Sequence, residues 1–223
     1  EMLRSLVGSE MCIRDSMHNG KIEIISDLDG TFYPIDNLLT SQIDQSVETF
    51  LLSHASINKE ELRELEKSHP NVLDALGILN ISREKFYKKV YSHLEYENCI
   101  NKNPDLIYVL KNSNFNITIV SLSPRKHIER ILEIMQLSPF IKDICSLEHE
   151  QNTCKENVYS KIIKKMGLPA KDIWVVGDNY EIDIVPAVKL GCQTALIKKY
   201  SIAGIPAFAT IVDFLDRKKG NLL

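Results

Sequence analysis

Four carboxylates, one hydroxyl and one lysine stand where they could act together on a phosphate ester. Asp27-Leu28-Asp29-Gly30-Thr31 closes one apolar run, Ser121 a second, and Gly177-Asp178 a third, with Asp183 just behind; Lys155 precedes a helical stretch. A carboxylate with an ordinary pKa of ~3.9 is ionised at neutral pH and can attack phosphorus. Carboxylate and phosphate repel each other, so such a site needs a cation. Mg²⁺ takes oxygen ligands in near-octahedral geometry, and Asp27, the Asp29 carbonyl and Asp178 would supply them. Asp183 would hold a metal-bound water or orient Lys155. Asp29, two residues past Asp27 in extended backbone, shares its face. Its carboxyl could protonate a leaving alkoxide and then activate water, help typically worth ~10²–10⁴-fold. Gly30 permits a sharp turn. Ser121 could donate to a phosphoryl oxygen and Lys155 neutralise its charge, the electrostatic share of such catalysis.

The elements that must position these groups are legible around them. Ile22–Ile25, Ile117–Val120, Ile173–Val176 and Thr194–Ile197 are short, β-branched and apolar on both faces, as buried parallel strands are. Between them, Ile128, Ile131, Leu132 and Met135 repeat as the stripe of an amphipathic helix, with Ser123-Pro124 as its N-cap and first turn. Val158, Ile162, Ile163 and Met166 mark a second helix, stopped by Gly167 and Pro169, and residues 184–190 a third, stopped by Gly191. The alternation predicts an α/β fold, a doubly wound, Rossmann-like parallel sheet, whose ligands bind at the carboxyl ends of its strands.

Between Phe32 and Phe115 strand signals nearly vanish, and helices are expected at 41–53, 59–67, 71–76, 82–92 and 103–111. An all-helical insertion after the first strand reads as a cap domain. The expected division is a core of 17–32 and 112–223 and a cap of 33–111. Residues 1–16 show no signal-peptide pattern and resemble translated sequencing-adapter DNA, so the native start is expected at Met17.

Competing assignments exist at several positions. Lys142, Lys161 and Lys164 rival Lys155, which is favoured by its place before a helix. Ser123 rivals Ser121 but reads better as a helix N-cap. Gly30, Thr31, Tyr33 and Arg125 are candidate substrate contacts. Against the last stands the reading of Arg125, Lys126 and His127 as a solvated first helical turn. His69 reads as a cap residue. Tyr33, Tyr87 and Tyr91 could stack on a base, although tyrosines at helical spacing pack cap cores more often.

Composition narrows the function class. The 27 Lys and Arg against 30 Asp and Glu give a net charge of −3, so there is no basic footprint for a nucleic acid or an anionic membrane. No apolar run approaches the ~18 residues of a membrane span. Five cysteines without close pairs suggest neither a disulfide framework nor a zinc site and fit a cytoplasmic location. Dinucleotide, P-loop, serine-hydrolase and zincin motifs are missing. The partner expected is a small-molecule phosphate ester; oligomeric state is not legible.

From Lys21 onward the sequence resembles the haloacid dehalogenase-like hydrolase superfamily, phosphatase branch. DLDGT at 27–31 resembles its first motif, Ser121 in ITIVSLS its second, Lys155 its third, and GDNYEID at 177–183 its fourth. The resemblance implies a Rossmann-like core with a small helical cap, Mg²⁺ as cofactor, and an aspartyl-phosphate mechanism. In it, Asp27 is nucleophile, Asp29 acid and base, Ser121 and Lys155 phosphoryl ligands, and Asp27, Asp29, Asp178 and Asp183 the metal set. TFYPIDN and HPNVLDALGILNISREKFYKKVY at 69–91 are similar to pyrimidine 5′-nucleotidase-like members. That implies nucleoside 5′-monophosphates as substrates. A phosphosugar or phosphoglycolate phosphatase, a phosphomutase, or a non-catalytic interaction protein are the alternatives. Two departures stand out: Leu122 where Asn is common, and Glu156 where Pro is common.

Overall fold

Successive strand residues point to opposite faces of a sheet, and here both faces are apolar. Ile24 packs on one side and Ile25 on the other; Ile119 and Val120, and Val176 and Val175, divide the same way. A sheet made of such strands must be covered on both sides. The computed structural model describes residues 20–55, 57–69, 71–150 and 154–220 and shows that architecture. The segment 1–16, expected to be foreign to the native protein, lies outside the described residues.

Strands β1 (Ile22–Ser26), β2 (Phe115–Ser121), β3 (Ile141–Ser146), β4 (Ile173–Gly177), β5 (Gln193–Ile197) and β6 (Ala207–Phe208) form one parallel sheet in the order β3-β2-β1-β4-β5-β6. The order reverses beside β1, and that switch point opens a crevice at the carboxyl ends of the strands. Ser26 is in register with Ile119 of β2 and Val176 of β4, so Asp27, Ser121 and Gly177-Asp178 emerge at the same edge. β3 and β6 were not expected. β3 carries the exposed Lys142 and Asp143 at the sheet edge, so it has no apolar run to announce it, and β6 is only two residues long.

The insertion between β1 and β2 folds as helices α1 (Leu38–His54), α2 (Lys59–Ser68), α3 (Val72–Ile78), α4 (Arg83–Val90) and α5 (Pro104–Lys111). Each starts where an Asn or Ser side chain accepts the orphan N–H groups of the first turn: Asn37, Asn58, Asn71, Ser82 and Asn103. Asn58 and Glu61 close a full capping box. His69, expected to cap, follows the last turn of α2, and its N–H closes on the Leu65 carbonyl. Phe50, Leu51, Leu62, Leu73, Leu76, Phe86 and Val90 form an apolar cluster within α1–α4. α5 behaves differently from the cap to which the boundary 33–111 assigns it. Leu106, Val109 and Leu110 share the sheet's own cluster with Phe214 and Leu215, so its apolar stripe is spent on the core.

The remaining helices are α6 (Arg125–Ile134), α7 (Lys155–Met166), α8 (Val185–Lys189) and α9 (Ile211–Gly220). α5, α6 and α9 cover one face, α7 and α8 the other. Gly167 ends α7 in the left-handed region at φ 69°, the usual helix stop. Among the described residues no helix is long and apolar enough to cross a membrane.

Candidate active site

The first carboxylate is set by the end of β1. The Asp27 N–H still bonds the Val176 carbonyl at 2.9 Å, and the chain then turns back, with the Thr31 and Phe32 N–H groups on the Leu28 carbonyl. Gly30 makes that turn at φ 81°, and a Cβ there would stand 2.6 Å from the Asp178 carboxyl. Only glycine meets both demands. Gly177, at the end of β4, is equally confined: a Cβ would lie 2.3 Å from Asp183 Oδ2.

Lys155 ties the strand ends together. Its Nζ donates to Asp27 Oδ1 at 2.7 Å, Asp183 Oδ1 at 2.7 Å and the Val120 carbonyl at 2.9 Å. The ammonium is almost fully buried. Burial works against its charge, yet the carboxylates of Asp183 and Asp27 outweigh that and push its pKa upward. Of the four candidate lysines only Lys155 meets this cluster. Lys142 pairs with Glu23, Lys161 with Glu150, and Lys164 is exposed. Asp183 Oδ2 takes the Asn179 N–H at 3.0 Å, on a single π-helical turn, Tyr180–Ile184, that Asn179 caps.

Asp27, Asp178 and Asp183 offer oxygen atoms that all lie within 4.8 Å of one another. Burial pushes the Asp27 carboxyl well above the usual range; the charges of Asp183 and Asp29 add to this and Lys155 opposes it. Burial and then the charge of Asp183 push Asp178 up to about 6. Lys155 lies among three crowded carboxylates, with the more distant charge of Lys198 acting on Asp178; an excess of negative charge remains, and the donors are hard oxygens. This set fits a small divalent cation such as Mg²⁺.

The Asp29 carboxylate is turned elsewhere. Oδ1 accepts from the Tyr33 hydroxyl and from His127 Nε2 at 3.2 Å; Oδ2 accepts from Ser123 Oγ at 2.7 Å and Ser121 Oγ at 3.3 Å. Burial works to raise this carboxyl. The hydrogen bond and charge of His127, with the Tyr33 and Ser123 hydrogen bonds, outweigh it and hold Asp29 down at about 2. Two expectations are corrected here. Ser123 does not cap α6: Pro124 occupies the N-cap position with no side-chain bond, and the Ser123 hydroxyl is committed to Asp29. His127 is not solvated. It is 1% exposed and lies between the rings of Tyr91 and Tyr96, with centroids 5.1 and 5.5 Å away. The signal was in the sequence, since His127 stands four residues before Ile131 and shares its buried stripe.

The other candidate contacts divide. The Thr31 hydroxyl is buried and has no hydrogen-bond partner among the described residues. The Arg125 guanidinium reaches the Ile144 carbonyl at 3.0 Å and Glu129, on the β3 side, so the structure separates it from the carboxylates. Tyr87 Oη donates to the Leu122 carbonyl at 2.7 Å, and Tyr91 Oη lies 3.5 Å from Ser123 Oγ. The cap therefore leans on the residues just past Ser121. The Leu122 side chain packs into both the cap cluster and the cluster under α7.

Residues 24–197 match the family model described as haloacid dehalogenase-like hydrolase. Solved structures share the fold. A HAD phosphatase from Thermococcus onnurineus superposes with a TM-score of 0.59 at 16% identity, over 90% of this chain and 99% of that one. The HAD hydrolase YfnB from Bacillus subtilis, bound to magnesium, gives 0.58 at 14% identity, over 88% and 98%. A HAD-superfamily hydrolase from Ehrlichia chaffeensis gives 0.56 at 16% identity, over 91% and 98%. No sequence among the curated proteins compared matches the chain. With the match running from β1 to the end of β5 and including all the strand-end carboxylates, this chain belongs to the haloacid dehalogenase-like hydrolases.

Proposed function

We propose that this hydrolase is a Mg²⁺-dependent phosphomonoesterase working through an aspartyl-phosphate on Asp27, with nucleoside 5′-monophosphates, pyrimidine ones first, as substrates. The observation that carries the reading is the buried Lys155 ammonium, 2.7 Å from both Asp27 and Asp183, beside a third carboxylate, Asp178, within reach of a shared cation. Mg²⁺ held by Asp27, Asp178 and the Asp29 carbonyl, with Asp183 behind, would supply the positive charge that lets carboxylate and phosphate approach.

The protein's own groups account for the remaining steps. Asp27 Oδ attacks phosphorus, the ester P–O bond breaks, and Asp29 gives its proton to the leaving oxygen. Water then attacks the acyl phosphate, its proton passes to Asp29, and the bond from phosphorus to Asp27 breaks. Four donors keep Asp29 ionised, the form in which it can accept the proton of the second step. The phosphate dianion arriving beside it raises its proton affinity for the first. To hold phosphoryl oxygens, Lys155 exchanges one of its three acceptors and the Ser121 hydroxyl its 3.3 Å bond to Asp29, and the unpartnered Thr31 hydroxyl gains an acceptor there. The similarity of residues 69–91 to pyrimidine 5′-nucleotidase-like members supports a nucleoside as the leaving group. Tyr87 and Tyr91 pack within the cap cluster and set its position by their hydroxyl bonds to the end of β2.

Phosphate release from nucleoside monophosphates, phosphosugars and phosphoglycolate, with Mg²⁺ or with EDTA, tests this. The expected result is fastest release from pyrimidine nucleotides, lost in EDTA. A preference for sugar phosphates would move the substrate class, activity surviving EDTA would remove the metal, and no release from any ester would remove the enzymatic reading.

A further inference from the structure

We infer that His127, itself fixed by Tyr96, is a positioning residue that aims the Asp29 carboxylate at the leaving group and away from the cation site. The inference rests on the phosphatase reading and adds to it a residue outside the four motifs. Three observations carry it. Asp29 Oδ1 is held by His127 Nε2 at 3.2 Å, from a helix 98 residues away in sequence. The other ring nitrogen, Nδ1, is held by the Tyr96 hydroxyl at 3.0 Å, so the imidazole can neither flip nor slide without breaking a bond. Its ring is buried against Tyr91 and Tyr96, which excludes water as a substitute partner. The Asp29 carboxylate correspondingly stands outside the group formed by Asp27, Asp178 and Asp183. The Tyr33, Ser123 and Ser121 hydroxyls also donate to this carboxylate, but they rotate about their C–O bonds whereas the imidazole N–H is fixed; without it the carboxylate is free to turn toward a divalent cation, where it cannot serve the leaving oxygen.

A general acid matters most for a poor leaving group, and this separates positioning from mere structural support. kcat/KM is compared on phenyl phosphate and p-nitrophenyl phosphate, which share a shape but differ in leaving-group basicity. In His127→Ala the value for phenyl phosphate is expected to fall about 10²-fold, the cost of an ångström-scale misplacement, and that for p-nitrophenyl phosphate far less. His127→Gln, whose amide nitrogen reaches about as far as Nε2, is expected to restore part of the loss. Tyr96→Phe, which removes one hydroxyl, shows the same selectivity in smaller measure and covers the case in which His127→Ala does not fold. Equal losses on both esters, or no rescue by Gln, would overturn the inference while leaving the phosphatase reading intact. A wild-type protein that hydrolyses neither ester would overturn both.

Discussion

Lys155 faces Asp27 and Asp183 directly, with Asp178 near, and burial together with the crowding of these carboxylates raises the proton affinity of Asp27 and Asp178. Asp178 binds its proton more tightly in the fold, at about 6, than at its ordinary value of 3.8. Its ionisation therefore opposes the metal-free fold. The associated stability is intact at acid pH and is lost as pH rises from about 4 through about 6. A divalent cation binds the ionised form and reverses the loss. The thermal shift caused by Mg²⁺ is thus expected to be small near about pH 5 and larger near about pH 7, and to shrink in Asp178→Asn. A shift independent of pH, or unchanged in Asp178→Asn, would contradict the assignment. Asp29 has the opposite sign: held at about 2, its contribution is present above the ordinary carboxylate range and lost only as pH falls toward about 2.

At the scale of elements, the site depends on how closely strand ends approach the turns that follow them. Gly177 closes β4 directly under Asp183, whose carboxylate is pinned by Lys155 on one oxygen and by the Asn179 N–H on the other. It cannot yield to a new Cβ. Gly177→Ala is expected to cost about 1–3 kcal/mol in urea unfolding, as overpacking of a rigid site does, and to reduce phosphate release. Unchanged stability would show that the π-helical turn is free to shift. The same elements show what could be read in advance. β1, β2, β4 and β5 were legible because buried parallel strands are continuously apolar, and the cap helices because apolar residues such as Phe86 and Val90 recur at helical spacing. β3 was not, since an edge strand tolerates Lys142 and Asp143. Ser123 and His127 were misassigned for a common reason: a polar residue at a helix start looks like a cap or a solvated turn. The stripe shared with Ile131 signals that His127 is buried, but that both residues meet Asp29 is set by how the end of β2 and the start of α6 pack against the turn after β1.

For the whole molecule, the insertion and the sheet make one device. The cap's tyrosines rest on the Leu122 carbonyl and Ser123 hydroxyl at the end of β2, while α5 packs on the core and anchors the return of the chain. Leu122, seated in both clusters, couples the two parts at the mouth of the crevice. A cap that closes there excludes water while the ester bond breaks. Asp27, proposed to carry the phosphoryl group, is the carboxylate that directly follows β1 at the switch point. The direct test is to quench the enzyme in acid during turnover with Mg²⁺ and a hydrolysed ester, then map the digest by mass spectrometry. The expected result is a phosphoryl adduct on the peptide containing Asp27, removed by hydroxylamine and lost, along with at least about 10⁴-fold of kcat, in Asp27→Asn. Turnover that persists in Asp27→Asn, or an adduct on any other residue, would contradict it.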